Sequence, residues 1–367
     1  MTQIRCITIQ GTPIERGLSY GHQAEDLIGK AVAHYQRDFA VKGVIWSEAL
    51  NIAKRFIDIV QNYDPDLATE LEGIARGSGQ SAEAIMLLNA RTEVLFWHEK
   101  ERGKAQSGTA EECSSAVALP AATRDGVLIH AQNWDWMPGV ADHTLAMRVR
   151  GQNNPDALHF VEAGQLARHG FNGAGITVTA MGLHSDKDYG RLGVPSPFIR
   201  RKVLESQTLA EAIGRVLQGG TSFSHALILS HGSGEALCLE TTPDDAFWIE
   251  PEDGILVHTN HFKAPAALVK VREANLVRCP DSLTRDMRLR GSLHAACGRI
   301  TVDDVKAAFA DDWGHPYGVL RHPAPRPGGL TSATVYTLIM TPQKGKAWVA
   351  LKPYENGSFV ELDLYAA

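Results

Sequence analysis

Apolar side chains recur at helical spacing through the first hundred residues of the chain and change to alternation after Cys113. Residues 5–10 read as one short apolar strand. Thr12-Pro13-Ile14-Glu15 then opens a helix that small and apolar residues carry to about Phe39. Ser47 is placed as the N-cap of a second helix ending near Tyr63. Asp64-Pro65-Asp66 starts a third, expected to reach Ala75 and to be stopped by Gly77 and Gly79. Ser81 caps a fourth, through Asn89 to about Trp97. Residues 99–112, EKERGKAQSGTAEE, have no apolar period and predict an exposed, flexible connection.

Beyond that connection the pattern is of strands. Val117 and Leu119 alternate with small residues, Arg124-Asp125-Gly126 supplies a turn, and 127–131 is apolar enough for a central strand. Asn133-Trp134-Asp135-Trp136 is read as its close. Strands follow at 145–149, 158–162 and 176–180, then helices at 197–204 and 209–217. A meander of short strands is expected at 226–229, 236–240, 246–249 and 255–257. Helices at 281–297 and 302–310 and strands at 333–340, 347–351 and 359–364 complete the chain. Helices, then strands, then helices, then strands is not βαβ alternation, and it predicts an α+β fold.

Composition narrows the function classes. The 367 residues are 44% hydrophobic and 21% charged, as in globular proteins with a sizeable core. The net charge of -6 and the absence of a Lys/Arg stripe argue against nucleic acid. No apolar run is long enough for a membrane span, and MTQIRCITIQGTPIERG has no signal-peptide pattern. Five cysteines (6, 113, 238, 279 and 297), odd in number and without paired spacing, predict reduced thiols, a cytoplasmic protein and no zinc site.

Cys113 stands where a polar connection meets a strand, which suggests that the chain is cut there. Its own α-amino group, a type that ordinarily titrates at about pH 8, would then serve as base for the thiol. The stretch resembles the penicillin acyltransferase family of N-terminal nucleophile hydrolases. The matching pieces, in order, are Cys113-Ser114-Ser115, Ala131-Gln132-Asn133-Trp134-Asp135, Gly170-Phe171-Asn172-Gly173-Ala174-Gly175 and Gly193-Val194-Pro195-Ser196. Leu239-Glu240-Thr241-Thr242-Pro243 and Val257-His258-Thr259-Asn260-His261 extend the set over most of the chain.

The resemblance implies a four-layer αββα sandwich, with residues 1–112 as one fragment and 113–367 as the other. The two would remain associated after self-cleavage between Glu112 and Cys113. It implies Cys113 as nucleophile, Asp135 holding the amine and its hydrogen bonds, and Asn260 donating to the oxyanion. Ser115, Trp134, Thr242 and Arg321 are the expected substrate contacts, and no metal or cofactor is called for. The expected substrate is a small amide or thioester, with hydrolysis preferred over acyl transfer because it needs no second binding site. Glu93 is a candidate buried partner for an arginine, and Asn172 a turn residue beside the pocket. The chain departs from the family at Glu112, where the penicillin enzyme is cut after a glycine. It also has no arginine in Leu330-Thr331-Ser332-Ala333-Thr334, which leaves Arg321 as the substitute.

Two other readings compete. Cys113 with His258 and an asparagine would make an uncut papain-like peptidase, although that family's sequence around the nucleophile is absent. An uncut chain that only binds small molecules is the third, favoured by the side chain of Glu112. His258 and His261 have no accompanying acidic or thiol cluster in sequence and are read as structural, as are the other four cysteines.

Overall fold

The computed structural model describes residues 4–102, 112–325 and 331–366. The expected linker therefore falls largely outside the described residues. The amino-terminal part comprises β1 (Arg5–Ile9), α1 (Pro13–Gln23), α2 (Glu25–Val41), α3 (Trp46–Tyr63), α4 (Pro65–Ser78) and α5 (Ala82–Glu101). Next come β2 (Glu112–Ala118), β3 (Ile129–Trp136), β4 (Thr144–Val149), β5 (Ala157–Glu162), β6 (His169–Asn172) and β7 (Ile176–Gly182). After α6 (Ser196–Leu204) and α7 (Leu209–Leu217) lie β8 (His225–His231), β9 (Glu235–Thr241), β10 (Ala246–Ile249) and β11 (Ile255–His258). The chain continues through α8 (Pro265–Lys270), α9 (Asp281–Ala295), α10 (Val302–Phe309), β12 (Ala324–Pro325) and β13 (Thr331–Thr341). It closes with β14 (Lys346–Leu351), α11 (Pro353–Asn356) and β15 (Val360–Asp363).

The strands form two sheets. One has the order β1-β4-β5-β6-β7-β8-β9-β10, and the other β11-β2-β3-β13-β14-β15 with β12 on β13. The sheets face each other, β7 lying against β2 and β3, while α6 and α7 pack on the first and α9 and α10 on the second. The fold is the α+β, four-layer helix–sheet–sheet–helix arrangement. Alternation along β2 and β3 divides the two packing layers. Cys113, Val117, Trp134 and Trp136 point into the core between the sheets. Ala116, Ala118, Ile129 and Ala131 point the other way, against Leu289, Leu293, Val305 and Phe309 of α9 and α10.

The space between the sheets is not wholly apolar. His130 bridges Thr179 (2.7 Å) and Ser230 (2.8 Å), and Ser115 Oγ reaches Thr179 Oγ1 at 2.7 Å. Gln132 donates to the Ala180 carbonyl at 2.9 Å. These polar pairs tie the sheets at one register, because any slip would strand buried polar atoms.

Five sequence expectations change. Ser47 lies inside α3, whose cap position is Ile45 with no side-chain hydrogen bond. The first long helix is two, broken at Ala24. The helix of 64–75 runs on through Gly77 to Ser78 and stops at Gly79, which is left-handed at φ 65°. Gly77 is there for close approach: a β-carbon on it would lie 2.5 Å from the Leu18 carbonyl oxygen of α1. Asn133 to Trp136 are strand interior, since the tryptophans face the core and Asn133 caps the Phe309 and Val319 carbonyls, each at 2.9 Å. The strand of 255–257 leaves the meander and pairs antiparallel with β2 in the other sheet, Val257 opposite Ala116.

β1 pairs parallel with β4, Arg5 opposite Leu145, so segments on both sides of Glu112–Cys113 share one sheet. Among the described residues no helix is long and apolar enough to cross a membrane.

Two measurements test this packing. A β-carbon at Gly17 would lie 2.1 Å from the Glu70 carbonyl oxygen and 2.8 Å from the Gly73 Cα. Gly17→Ala is expected to cost about 2 kcal/mol or more in urea unfolding; an unchanged midpoint would contradict the α1–α4 contact. Burial lowers His130 to about 3, and burial is also the main cause that lowers His143 and His184 to about 4. The unfolded chain takes up these protons near pH 6.5 and the folded chain does not, so stability falls as pH drops from 6.5 towards 4. Melting temperatures across that interval should decline accordingly.

Candidate active site

β2 places Cys113 opposite Trp134 of β3, and Glu112 opposite Asp135. The thiol lies on the inner face, fully buried. The Cys113 backbone N–H donates to Asn260 Oδ1 at 2.8 Å, and its carbonyl accepts from Arg285 Nη1 at 2.6 Å. Arg285 Nη1 also reaches Ser114 Oγ at 2.9 Å, and Nη2 reaches Asn260 Oδ1 at 3.0 Å.

Asn260 follows β11, which lies beside β2, and this adjacency brings two distant segments together. Its backbone is fixed by Ser282 Oγ on its N–H (2.8 Å) and Asn275 Nδ2 on its carbonyl (2.8 Å). Its side-chain Nδ2 donates to the Gly182 carbonyl at 3.0 Å. The amide cannot be turned over at no cost: Arg285 has only donors, so the oxygen must face it. Arg285 in turn is aimed by Asp281, one helical turn earlier on α9, at 2.9 Å. Burial opposes the Arg285 charge, but Asp281, Cys279 and Asp135 outweigh it and hold the guanidinium more firmly protonated than usual.

On the outer face of the same strands, Arg321 is fully buried among three carboxylates. It pairs with Glu112 and Asp281, and its Nε lies 3.3 Å from Asp135 Oδ2. Thr334 completes the group, donating to Asp135 Oδ1 at 2.7 Å and accepting from the Arg321 backbone N–H at 2.9 Å. Two of the expected site residues lie in this group. Asp135 is adjacent to Cys113 in register but on the opposite face of the sheet, because strand neighbours one residue apart point opposite ways. Arg321 is paired with Glu112, Asp135 and Asp281. Donor atoms of Glu112, Cys279 and Asp281 also lie within 4.8 Å of one another. Arg285 and Arg321 already supply the positive charge to Asp281, so a cation there would meet two guanidiniums.

The remaining expected residues divide. Trp134 faces inward, with Arg168 3.7 Å over its ring and Tyr336 at 5.2 Å. Ser115 is used in the tie to Thr179 and the Ala131 carbonyl. Thr242 caps a turn, accepting from the Asp245 N–H at 2.9 Å, and lines a separate cleft with Arg191 and Asp244. His258 is held by Glu240 (2.8 Å) and the Thr259 carbonyl (2.9 Å), which leaves neither ring nitrogen for a papain-like role. His261 bonds Ser282 at 2.8 Å, as a structural residue. Asn172 caps its own turn through the Ala174 and Ile176 N–H groups.

A narrow cleft of about 30 Å³ is lined by Gly182, whose carbonyl accepts from Asn260, and by Arg91, Glu93, Arg168, Met181 and Arg200 among others. Arg285, Asp281, Arg168 and Arg200 were not singled out by sequence reasoning. Asp281 and Arg285 do share a helical face with buried Leu289 and Leu293, and a charged pair inside an apolar stripe was the available signal. Arg168 and Arg200 carried none.

Removing the cation at the centre of the carboxylates tests the network. Arg321→Met in a Cys113→Ala background is expected to cost about 3–5 kcal/mol near neutral pH, read from urea unfolding. A midpoint unchanged by the substitution would contradict the network.

Comparison with known proteins bears on the same residues. A curated relative, the acyl-coenzyme A:6-aminopenicillanic-acid-acyltransferase 40 kDa form of Emericella nidulans, is 28% identical over 360 residues, 94% of this chain and 92% of that one. Solved structures with a likeness include a mutant of conjugated bile acid hydrolase from Clostridium perfringens, at 13% identity and TM-score 0.47, over 68% of this chain and 92% of that one. Penicillin V acylase from Agrobacterium tumefaciens gives 13% identity and TM-score 0.46, over 68% of this chain and 86% of that one. At that level neither structure speaks to the chemistry of this chain. The model of the acyl-coenzyme A:6-aminopenicillanic acid acyl-transferase family matches residues 122–355, well over half of the sequence, and the chain belongs to that family of enzymes.

Proposed function

We propose that this protein is a cysteine N-terminal nucleophile amidohydrolase that matures by cutting its own chain between Glu112 and Cys113. The observation that carries the reading is the clamp on Cys113: its N–H on Asn260 Oδ1 and its carbonyl on Arg285 Nη1. In maturation, Cys113 Sγ attacks the Glu112 carbonyl carbon and its proton passes to the departing amide nitrogen. The Glu112–Cys113 C–N bond breaks as a thioester forms. Water then hydrolyses the thioester, releasing Glu112 with a carboxylate and Cys113 with a free thiol and amine. The two sides stay together in this reading, since β1 belongs to the sheet of β4 and the early helices pack into the shared core.

The freed α-amine stands where the Cys113 N–H now meets Asn260 Oδ1, so that oxygen orients it. The amine takes the thiol proton, and the thiolate adds to the carbonyl of a small N-acyl amide. The tetrahedral oxyanion is received by Asn260 Nδ2, on the cleft side at Gly182; such a donor is worth on the order of 3 kcal/mol of barrier. The leaving amine departs with the proton, and water releases the acyl group from sulfur. Asp135 acts at one remove, through Arg321 and Thr334, by fixing the strand ends around the scissile bond.

The name of the Emericella relative supports a second reading, in which an acyl-CoA loads Cys113 and an amine takes the acyl group. Hydrolysis is preferred because it requires no second site.

Intact mass under denaturing conditions tests the maturation step. Fragments of 1–112 and 113–367 are expected from the wild type, and one species of 39.9 kDa from Cys113→Ala. Turnover of N-acyl amides should fall to background in that variant. A wild type that stays at 39.9 kDa while hydrolysing amides would overturn the free-amine mechanism.

A further inference from the structure

A second cleft, of about 150 Å³, lies between the starts of α1 and α4, the β4–β5 turn and the end of α6. That is room for a ligand of about six heavy atoms. α1 and α4 precede the Glu112–Cys113 bond, and the other two elements follow it. The cleft shares no residue with the one beside Gly182.

The charges on its walls are already matched. Arg16 lies 2.7 Å from Glu70, which also pairs with Arg201 at 3.1 Å. Glu205 takes Arg201 at 2.9 Å and Lys202 at 3.1 Å. Lys202 reaches Asp64 at 2.7 Å, and Arg150 reaches Asp156 at 2.8 Å. Each of these four cations therefore has a carboxylate within 3.1 Å. Asp66, a wall carboxylate outside these pairs, is exposed to water. A ligand charge of either sign would have to compete with pairs already made.

What is unmatched there is hydrogen-bonding capacity. His159 of β5 is fully buried on the wall, and neither ring nitrogen has a hydrogen-bond partner among the described residues. Burial and the nearby Arg201 charge push its titration well below the usual histidine range. The neutral ring presents one N–H and one bare nitrogen. Arg201 Nη1 is ion-paired but likewise makes no hydrogen bond among the described residues. Buried polar atoms without partners are costly, and here they include both donors and an acceptor. A hydroxyl can serve both kinds; a carboxylate only accepts and an ammonium only donates. Leu67, Val149 and Leu204 give the same walls carbon surface for a short aliphatic frame.

We propose that this cleft binds a small neutral polyol, with its hydroxyls on His159 and Arg201 and its carbon frame on Leu67, Val149 and Leu204. The site is separate from the Cys113 chemistry and does not rest on the hydrolase reading. Water alone would satisfy the polar atoms but leave the carbon surface uncovered.

Three probes on one frame test this: glycerol, glycerate and aminopropanediol, which are neutral, anionic and cationic near neutral pH. Each is titrated into the whole wild-type protein and followed by ligand-observed NMR. Glycerol is expected to bind with a Kd below about 10 mM, at least about 5-fold tighter than either charged probe. His159→Phe keeps a ring and removes both nitrogens, and should weaken glycerol by about 5-fold or more. His159→Gln, which restores a donor and an acceptor, should recover part of that loss. In wild-type protein carrying isotope-labelled histidine, one imidazole should shift as glycerol fills the cleft, a readout that needs no variant. Absence of saturable glycerol binding, with water alone in the cleft, overturns the proposal. Tighter binding of glycerate or of aminopropanediol overturns it as well. Glycerol binding that moves no imidazole resonance, or that His159→Phe leaves unchanged, places the polyol elsewhere and also overturns it.

Discussion

The structure depends on a single constraint at the start of β2: adjacent residues of a strand must face opposite sides of the sheet. Glu112 goes to the outer face, where Arg321 holds it with Asp135 and Asp281. Cys113 goes to the inner face, against Trp134. The bond between them is thereby anchored from both sides. Asn260 and Arg285 fix the Cys113 peptide group, and Arg321 fixes the side chain before it. A glycine at 112 could not make that second anchor.

The clamp is costly to assemble, which explains much of its surroundings. Arg285 and Arg321 are both buried, and buried charges must be paired and hydrogen-bonded. Asp281 serves both arginines, and its position on α9 makes that helix part of the site as well as a cover for the second sheet. Ser282, the next residue, holds the Asn260 backbone. One helix turn therefore orients the cation, the amide and the strand end together. The same economy holds across the cleft, where Glu162 serves Arg91 and Arg168 and also accepts from Tyr35 at 2.5 Å.

The two charged layers have different roles in the proposed chemistry. The Arg321 group lies on the face away from the thiol and acts on the chain itself. Arg168 lies on the thiol's side, over the ring of Trp134. Sequence reasoning picked out Arg321 by its nearness in sequence to the family's pair; the face it takes is set by the sheet, which no distance along the chain encodes.

Much of this protein was legible in the sequence, where local physics decided. Caps and glycine stops placed the amino-terminal helices to within a few residues. The order of strand and helix segments predicted the α+β class, and the spaced motifs pointed to the family. Tertiary structure decided the rest, because the reasons are non-local. Gly77 packs on α1, and Asn133–Trp136 is strand because carbonyls more than 150 residues away accept from the Asn133 amide and Thr334 donates to Asp135. β11 leaves its meander to pair with β2, and only that pairing brings Asn260 to Cys113. Which charged residues meet, and on which face, is set by register and sheet order, and no local pattern encodes either.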